Sequence, residues 1–241
     1  MIGKSPLFDF LELTNTFDFD VFRDPSQFMG DTLFGGYQST ASGGGSATAA
    51  IDAGKVGGQI VLDAGTTNGG RSDLSLGLHF QGQLNATIAA LVSIDDITDA
   101  KVEVGFTDVI SGTDAGAVDV KATPTFNALD CALWVFDTTD NTDWEGISTP
   151  DGDTTPPTVI EAGIQPVAGT SEWLIVALRD DTVTYIRATA SGGVTFTSTP
   201  QLLGPTKTTL LTPWAFVQNR AGAKTKLSIR DLWVWQRKTT G

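Results

Sequence analysis

The sequence predicts an all-β protein, an antiparallel β-sandwich carrying an N-terminal extended arm. Two observations predict it. Apolar residues recur at every second position over short segments, and Gly, Asn and Asp punctuate those segments where a chain must turn. The composition agrees, with 27 Gly, 10 Pro and a hydrophobic fraction of 40%, enough for a sizeable core. All-β folds of 241 residues commonly form one unit, so residues 1–28 are expected to be the arm and residues 29–241 a single sandwich domain.

The arm differs from everything after it. Phe8, Phe10, Phe17, Phe19, Phe22 and Phe28 are interleaved with Asp9, Glu12, Asp18, Asp20 and Asp24. Apolar stripes of this density mark an interface, which makes Phe8, Phe10, Phe17, Phe19 and Phe22 candidate partner-binding residues on a neighbouring subunit. The FDFDVF alternation equally fits an edge strand packed on its own sandwich. Between Ser39 and Ser46 a Gly and Ser run has the composition of a flexible linker. It lacks the Lys-Ser/Thr ending of a phosphate-cradling loop.

Gly57 to Ala64 is the first core strand, followed by a hairpin turn at Asn68-Gly69. Leu78 to Asp108 is the stretch with the clearest alternation, two strands joined by the acidic turn of Asp95, Asp96 and Asp99. Phe80, Gly82, Leu84, Ala86 and Ile88 share one parity; His79, Gln81, Gln83, Asn85 and Thr87 share the other, polar one. Gln81, Gln83 and Asn85 are thereby candidate glycan-facing residues. In the second strand Val102, Val104 and Phe106 point inward, and Lys101, Glu103 and Thr107 point to solvent. A long loop is expected from Thr107 to Thr125. Asp130 to Asp137 is apolar on both parities, as in a central strand covered on both faces, and the Thr/Asp/Pro-rich segment after it is the most loop-like of the chain. Glu172 to Leu178 and Thr182 to Ala188 pair around Arg179-Asp180-Asp181. Thr212 to Arg220 and Thr225 to Gln236 form a closing hairpin, whose Trp214, Trp233 and Trp235 are expected in the core rather than on a sugar-stacking platform.

The chemistry is sparse. A net charge of −13 opposes an extended nucleic-acid interface or an anionic membrane surface, because both need clustered Lys and Arg. Met1 to Gly30 contains no uninterrupted apolar core of a secretory signal. Cys131 lies in an apolar run with no adjacent cation to stabilise a thiolate, so a buried inert thiol is expected. With one His, His79, and one Cys, neither a serine-hydrolase triad nor a zinc site can be assembled. No catalytic residue and no cofactor is expected. Asp137, Asp140, Asn141 and Asp143 offer hard oxygen ligands in one loop, a calcium candidate weighed against a solvated acidic loop; the spacing is not that of an EF-hand.

GGQIVLDAG, RSDLSLG, KVEVGFTD, DCALWVFDT, EWLIVALRDD, PWAFVQNR and KLSIRDLWVWQ, taken in this order, resemble the concanavalin A-like lectin/glucanase jelly roll over Gly57 to Gln236. More narrowly, the chain is similar to the jelly-roll structural proteins of tailed bacteriophages. The resemblance implies a virion protein made in the host cytoplasm. It would be non-enzymatic, a capsid decoration, head-fibre or tail component present in multiple copies on the major capsid protein or other virion proteins. It also implies an alternative, a host-adhesion module binding a glycan. Catalytic members of the superfamily place carboxylates at alternate positions of one strand, and this sequence has no Glu-x-Asp-x-Glu; Glu103 stands alone on its strand beside Lys101. A glycoside hydrolase would need two carboxylates facing one another across a cleft.

Overall fold

The computed structural model describes residues 19–22, 36–52, 54, 58–110, 116–152, 158–222 and 224–237. Among them, two antiparallel sheets pack face to face. The nine-stranded sheet contains β1 (Phe19–Phe22), β3 (Thr48–Ile51), β4 (Ile60–Asp63), β6 (Thr87–Ile94), β13 (Glu172–Arg179), β14 (Thr182–Thr189), β15 (Val194–Thr197), β16 (Gln201–Leu202) and β18 (Lys226–Arg237). Its order is β15-β14-β13-β6-β18-β4-β3, with β1 beside β18 and β16 beside β14. The seven-stranded sheet runs β12 (Thr158–Glu161), β11 (Glu145–Thr149), β10 (Cys131–Asp137), β7 (Ala100–Thr107), β17 (Thr212–Asn219), β5 (Arg71–Ser75), β2 (Gln38–Ser42). A two-stranded sheet, β8 (Val118–Val120) and β9 (Thr125–Phe126), stands apart.

The core lies between the large sheets. Ile88, Ala90, Leu174, Val176, Tyr185 and Val234 face Val102, Val104, Phe106, Trp134, Phe136 and Val217. Trp134 is fully buried, meets Tyr185 edge-on at 5.3 Å, and donates its indole N–H to the Ile175 carbonyl at 3.1 Å. Burial without loss of a hydrogen bond is the condition for a tryptophan to stabilise a core. Gly146 on β11 leaves room for the Tyr185 ring, which a Cβ would approach to 2.6 Å.

The closing pair does not form the expected hairpin. β17 belongs to the seven-stranded sheet and β18 to the nine-stranded one, and β6 and β7 are likewise split. Each segment carries its own apolar face, so a turn that crosses between sheets buries both, whereas a hairpin would place both in one layer. The two crossings lie side by side: the Lys226 amide donates to the Asp95 carboxylate at 2.6 Å, and the Arg220 amide to the Asp99 carbonyl at 2.8 Å. Asn219 ties in a third, the β4–β5 corner at Asn68-Gly69, by donating its side-chain amide to the Gly65 carbonyl at 3.0 Å.

Other local expectations are corrected. The Gly43–Gly45 run is a tight turn between β2 and β3, closed onto residues 65–70; a Cβ at Gly45 would stand 2.5 Å from the Thr67 amide. Between β7 and β10 the chain forms β8 and β9 where a loop was expected, and the Thr/Asp/Pro-rich segment contains the fully buried β11 and runs into β12. A β-bulge between Ile229 and Asp231 reverses the parity of β18. Leu227 and Ile229 face the core, while Trp233 and Trp235 face outward. Two neighbouring charged residues, Arg230 and Asp231, would otherwise have put one into the core, and the extra residue avoids this.

Candidate functional site

The most chemically furnished surface is the face of the seven-stranded sheet that points away from the sandwich. Register sets it out in rows. One row runs Thr40, Asp73, Phe216, Glu103, Val135, Glu145; the next runs Ser42, Arg71, Gln218, Lys101, Asp137. Lys101 and Glu103, expected in solvent, are each 0% exposed. The parity was as the alternation implied, but the segment after β7 folds back over this face. Ala117, Val118 and Ala128 pack on Cys131, Leu133, Val135, Ile147, Trp214 and Phe216 as a second apolar cluster.

Glu103 organises the closure. Its carboxylate lies 3.0 Å from the Lys101 ammonium and accepts from the amides of Ala117 at 2.8 Å and Val118 at 3.1 Å. It also accepts from the Trp214 indole N–H at 3.0 Å. Lys101 in turn donates to the Val118 carbonyl. A buried charge is tolerable when paired and hydrogen-bonded, and both conditions are met. Gly116, in the left-handed region at φ +91°, lies so close that a Cβ would be 2.5 Å from a Glu103 oxygen.

Glu145 repeats the arrangement one strand beyond β10. Lys121 sits 3.4 Å from it and is itself 2% exposed. The Lys121 ammonium donates to the Asn141 side chain at 2.7 Å, its carbonyl at 3.3 Å, and the Asp143 carbonyl at 2.9 Å. Glu103 and Glu145 both oppose Val135, so two carboxylates share one face, each with its own lysine. Both carboxylates lie beneath the cap and hold chain segments to the sheet. At the half-buried Asp108 burial pushes the carboxyl up. Burial, helped by the Glu103 charge, also pushes the Cys131 thiol well up, as expected of an inert thiol.

Most of the oxygens weighed as calcium ligands are otherwise engaged. Asp137 is fully buried and pairs with Arg220 through both oxygens, Asn141 turns its side-chain oxygen to Lys121, and Asp140 accepts from Asn141 at 3.4 Å; Asp143 meets Lys121 through its backbone carbonyl. Among the described residues no cluster of three His, Cys, Asp or Glu side chains could hold a metal ion.

Gln81, Gln83 and Asn85 do not share a strand face. Gly82–Leu84 is a 3-10 turn, Asn85 is left-handed at φ 53°, and β6 begins only at Thr87. The cause is Gly82, where a Cβ would stand 2.3 Å from the Asp180 carbonyl oxygen, and Asn85, a residue that tolerates that backbone. Gln81 donates to the Thr208 carbonyl at 2.7 Å, Gln83 donates to Gln81 at 3.0 Å, and Asn85, with its amide oriented for it, accepts from Arg237 at 3.0 Å. His79 is exposed and outside any strand. Phe8, Phe10 and Phe17 lie outside the described residues. Phe19 and Phe22 belong to β1, an edge strand on the chain's own sheet. Sequence reasoning missed the two carboxylate–lysine pairs. The Lys101-Val102-Glu103 spacing, opposite charges at i and i+2 on a strand, was the available signal for the first.

No family model matches the chain, and no curated protein does. Solved structures match at low identity. The protein SO2946 of unknown function from Shewanella oneidensis MR-1 matches at 13% identity and TM-score 0.59, over 100% of this chain and 97% of its own. Bacillus licheniformis β-glucanase matches at 12% and 0.54, over 93% and 100%. The Emp47p carbohydrate recognition domain matches at 14% and 0.50, over 86% and 90%. At such identities the likeness speaks of fold alone, and the fold it shows is the concanavalin A-like lectin/glucanase β-sandwich.

Proposed function

We propose that this chain is a non-enzymatic structural protein of a bacteriophage particle, a lectin-like sandwich attached as a capsid decoration or minor capsid protein in multiple copies against the major capsid protein. The observation that carries the non-enzymatic part is Glu103. The central carboxylate of the outward face is committed to Lys101, to two amides and to an indole, under a cap of the chain's own residues. The virion context is supported by the sequence resemblance to phage jelly-roll proteins, and the charge of −13 fits a role without nucleic-acid contact. The test is sedimentation of purified protein with particles that lack it. Saturable co-sedimentation supports the reading; free protein at all ratios, or release of reducing sugar from a β-glucan panel, overturns it.

Glycan recognition is the second reading, and one row favours it. Ser42 Oγ, Arg71 Nε and Gln218 Oε1 lie in register on neighbouring strands, buried and without a hydrogen-bond partner among the described residues. Two donors and an acceptor without protein partners suit the hydroxyls of a saccharide. Binding on a glycan array that disappears in Gln218→Ala and in Arg71→Ala would establish this role in place of a purely structural one.

A further inference from the structure

At the margin of the cap, three side chains are arranged more closely than an ion pair requires. Lys121 follows β8 and is 2% exposed; Glu145 opens β11 and is 3% exposed. Between them stands Asn141, in the turn that joins β10 to β11. The Lys121 ammonium donates to Asn141 Oδ1 at 2.7 Å and lies 3.4 Å from Glu145 Oε1, and Asn141 Nδ2 donates to that same Glu145 oxygen. Asn141 Oδ1 also accepts from the Asp143 amide N–H at 2.9 Å. An amine, a carboxamide and a carboxylate thus meet at one point, with a backbone donor already on the carboxamide oxygen.

We propose that Lys121 and Asn141 join in an intramolecular isopeptide bond, formed by the chain itself. Each part of the reaction has its group. Lys121 supplies the nucleophile, because passing a proton to Glu145 replaces two buried charges with a neutral amine and a neutral acid. The amine attacks Asn141 Cγ, one bond of about 1.2 Å beyond the oxygen that it already touches. Charge that develops on Oδ1 is met by the Asp143 N–H. Glu145 carries protons from the attacking nitrogen to Nδ2, to which it is already hydrogen-bonded. One Nζ–Cγ bond forms, one Cγ–Nδ2 bond breaks, and the Asn141 nitrogen leaves as ammonium with no oxidant or reductant; Glu145 is regenerated. Asn141 is exposed, which gives the ammonium a way out. The bond fastens the cap covalently to the β10–β11 turn. By closing a loop it restricts the unfolded chain as a disulfide would, in a protein whose single cysteine excludes an intrachain disulfide.

The experiment is mass spectrometry of the purified full-length protein. The wild type should weigh about 17 Da less than its sequence requires, the mass of one ammonia. Trypsin should then fail to cut after Lys121 and release Val102 to Arg179 as one looped peptide, since Lys121 is the only Lys or Arg between Val102 and Leu178. Asn141→Ser, a change in an exposed turn, should restore both the full mass and the cut. Glu145→Gln keeps both reacting groups and should lower the linked fraction at least ten-fold. A wild type at full mass overturns the proposal. So does a loss of ammonia that persists in Asn141→Ser, as succinimide formation at Asn68-Gly69 would give. Linkage at the wild-type level in Glu145→Gln overturns the role assigned to Glu145.

Discussion

The two outward faces of the sandwich are built from opposite chemistry. On the seven-stranded side the face is charged, and the segment that follows β7 is held down by Glu103–Lys101 and Glu145–Lys121. On the nine-stranded side Trp173, Ile175, Ile186, Trp233 and Trp235 form an apolar cluster, at whose edge the Trp233 indole N–H donates to the Asp231 carboxylate at 3.0 Å. Apolar closure is non-directional and tolerant, whereas ionic closure stabilises only if every partner is in place. The same fold therefore carries one brittle and one forgiving surface.

Several substitutions would break or sharpen that contrast. Lys101→Met should cost about 3–5 kcal/mol in urea unfolding, because Glu103 is left buried and uncompensated. Adding Glu103→Leu should recover only part of the loss, because the Ala117 and Val118 amides and the Trp214 indole then lose their acceptor; a double variant as costly as the two single variants summed would mean the two do not act as a pair. Trp214→Phe keeps most of the ring and removes one donor to Glu103, with an expected cost of about 1–3 kcal/mol. On the apolar side Trp233→Ala removes a half-buried ring and should cost about 1–2 kcal/mol. A core change such as Trp134→Ala, at about 3–5 kcal/mol, sets the scale. The smallest effect belongs to Asp108. Its carboxyl is raised in the folded state, so the native protein binds more protons than the unfolded chain, and this contribution to stability falls as pH rises through the folded value. Asp108→Asn should flatten that part of the pH profile and raise the melting temperature slightly at pH 7; a drop would show that the carboxylate's bond from the Leu129 amide matters more.

Legibility in the sequence followed the range over which each feature is determined. Strand β10 was readable because Cys131 to Asp137 is apolar on both parities and is buried on both faces. The parity of Lys101 and Glu103 was readable, but their burial was not. It depends on Ala117 and Val118, in a segment whose Gly, Asp and Ala give no strand pattern. Between Gln81 and Asn85 the polar alternation continued across a turn, and only Gly82 and Asn85, both permissive of unusual backbone, marked the break. The bulge after Ile229 likewise moved Trp233 and Trp235 to the other face, so residues of one sequence parity serve two different clusters.

Equilibrium unfolding of Glu103→Ala tests most directly whether the furnished face is structural. A carboxylate that fastens the cap leaves behind an unpaired Lys101, two amides and an indole N–H, and stability should fall by about 3–5 kcal/mol. Active-site carboxylates are commonly held at a cost to stability, so their removal leaves a protein as stable or more so. Unchanged or increased stability in Glu103→Ala would contradict the structural role assigned to this face.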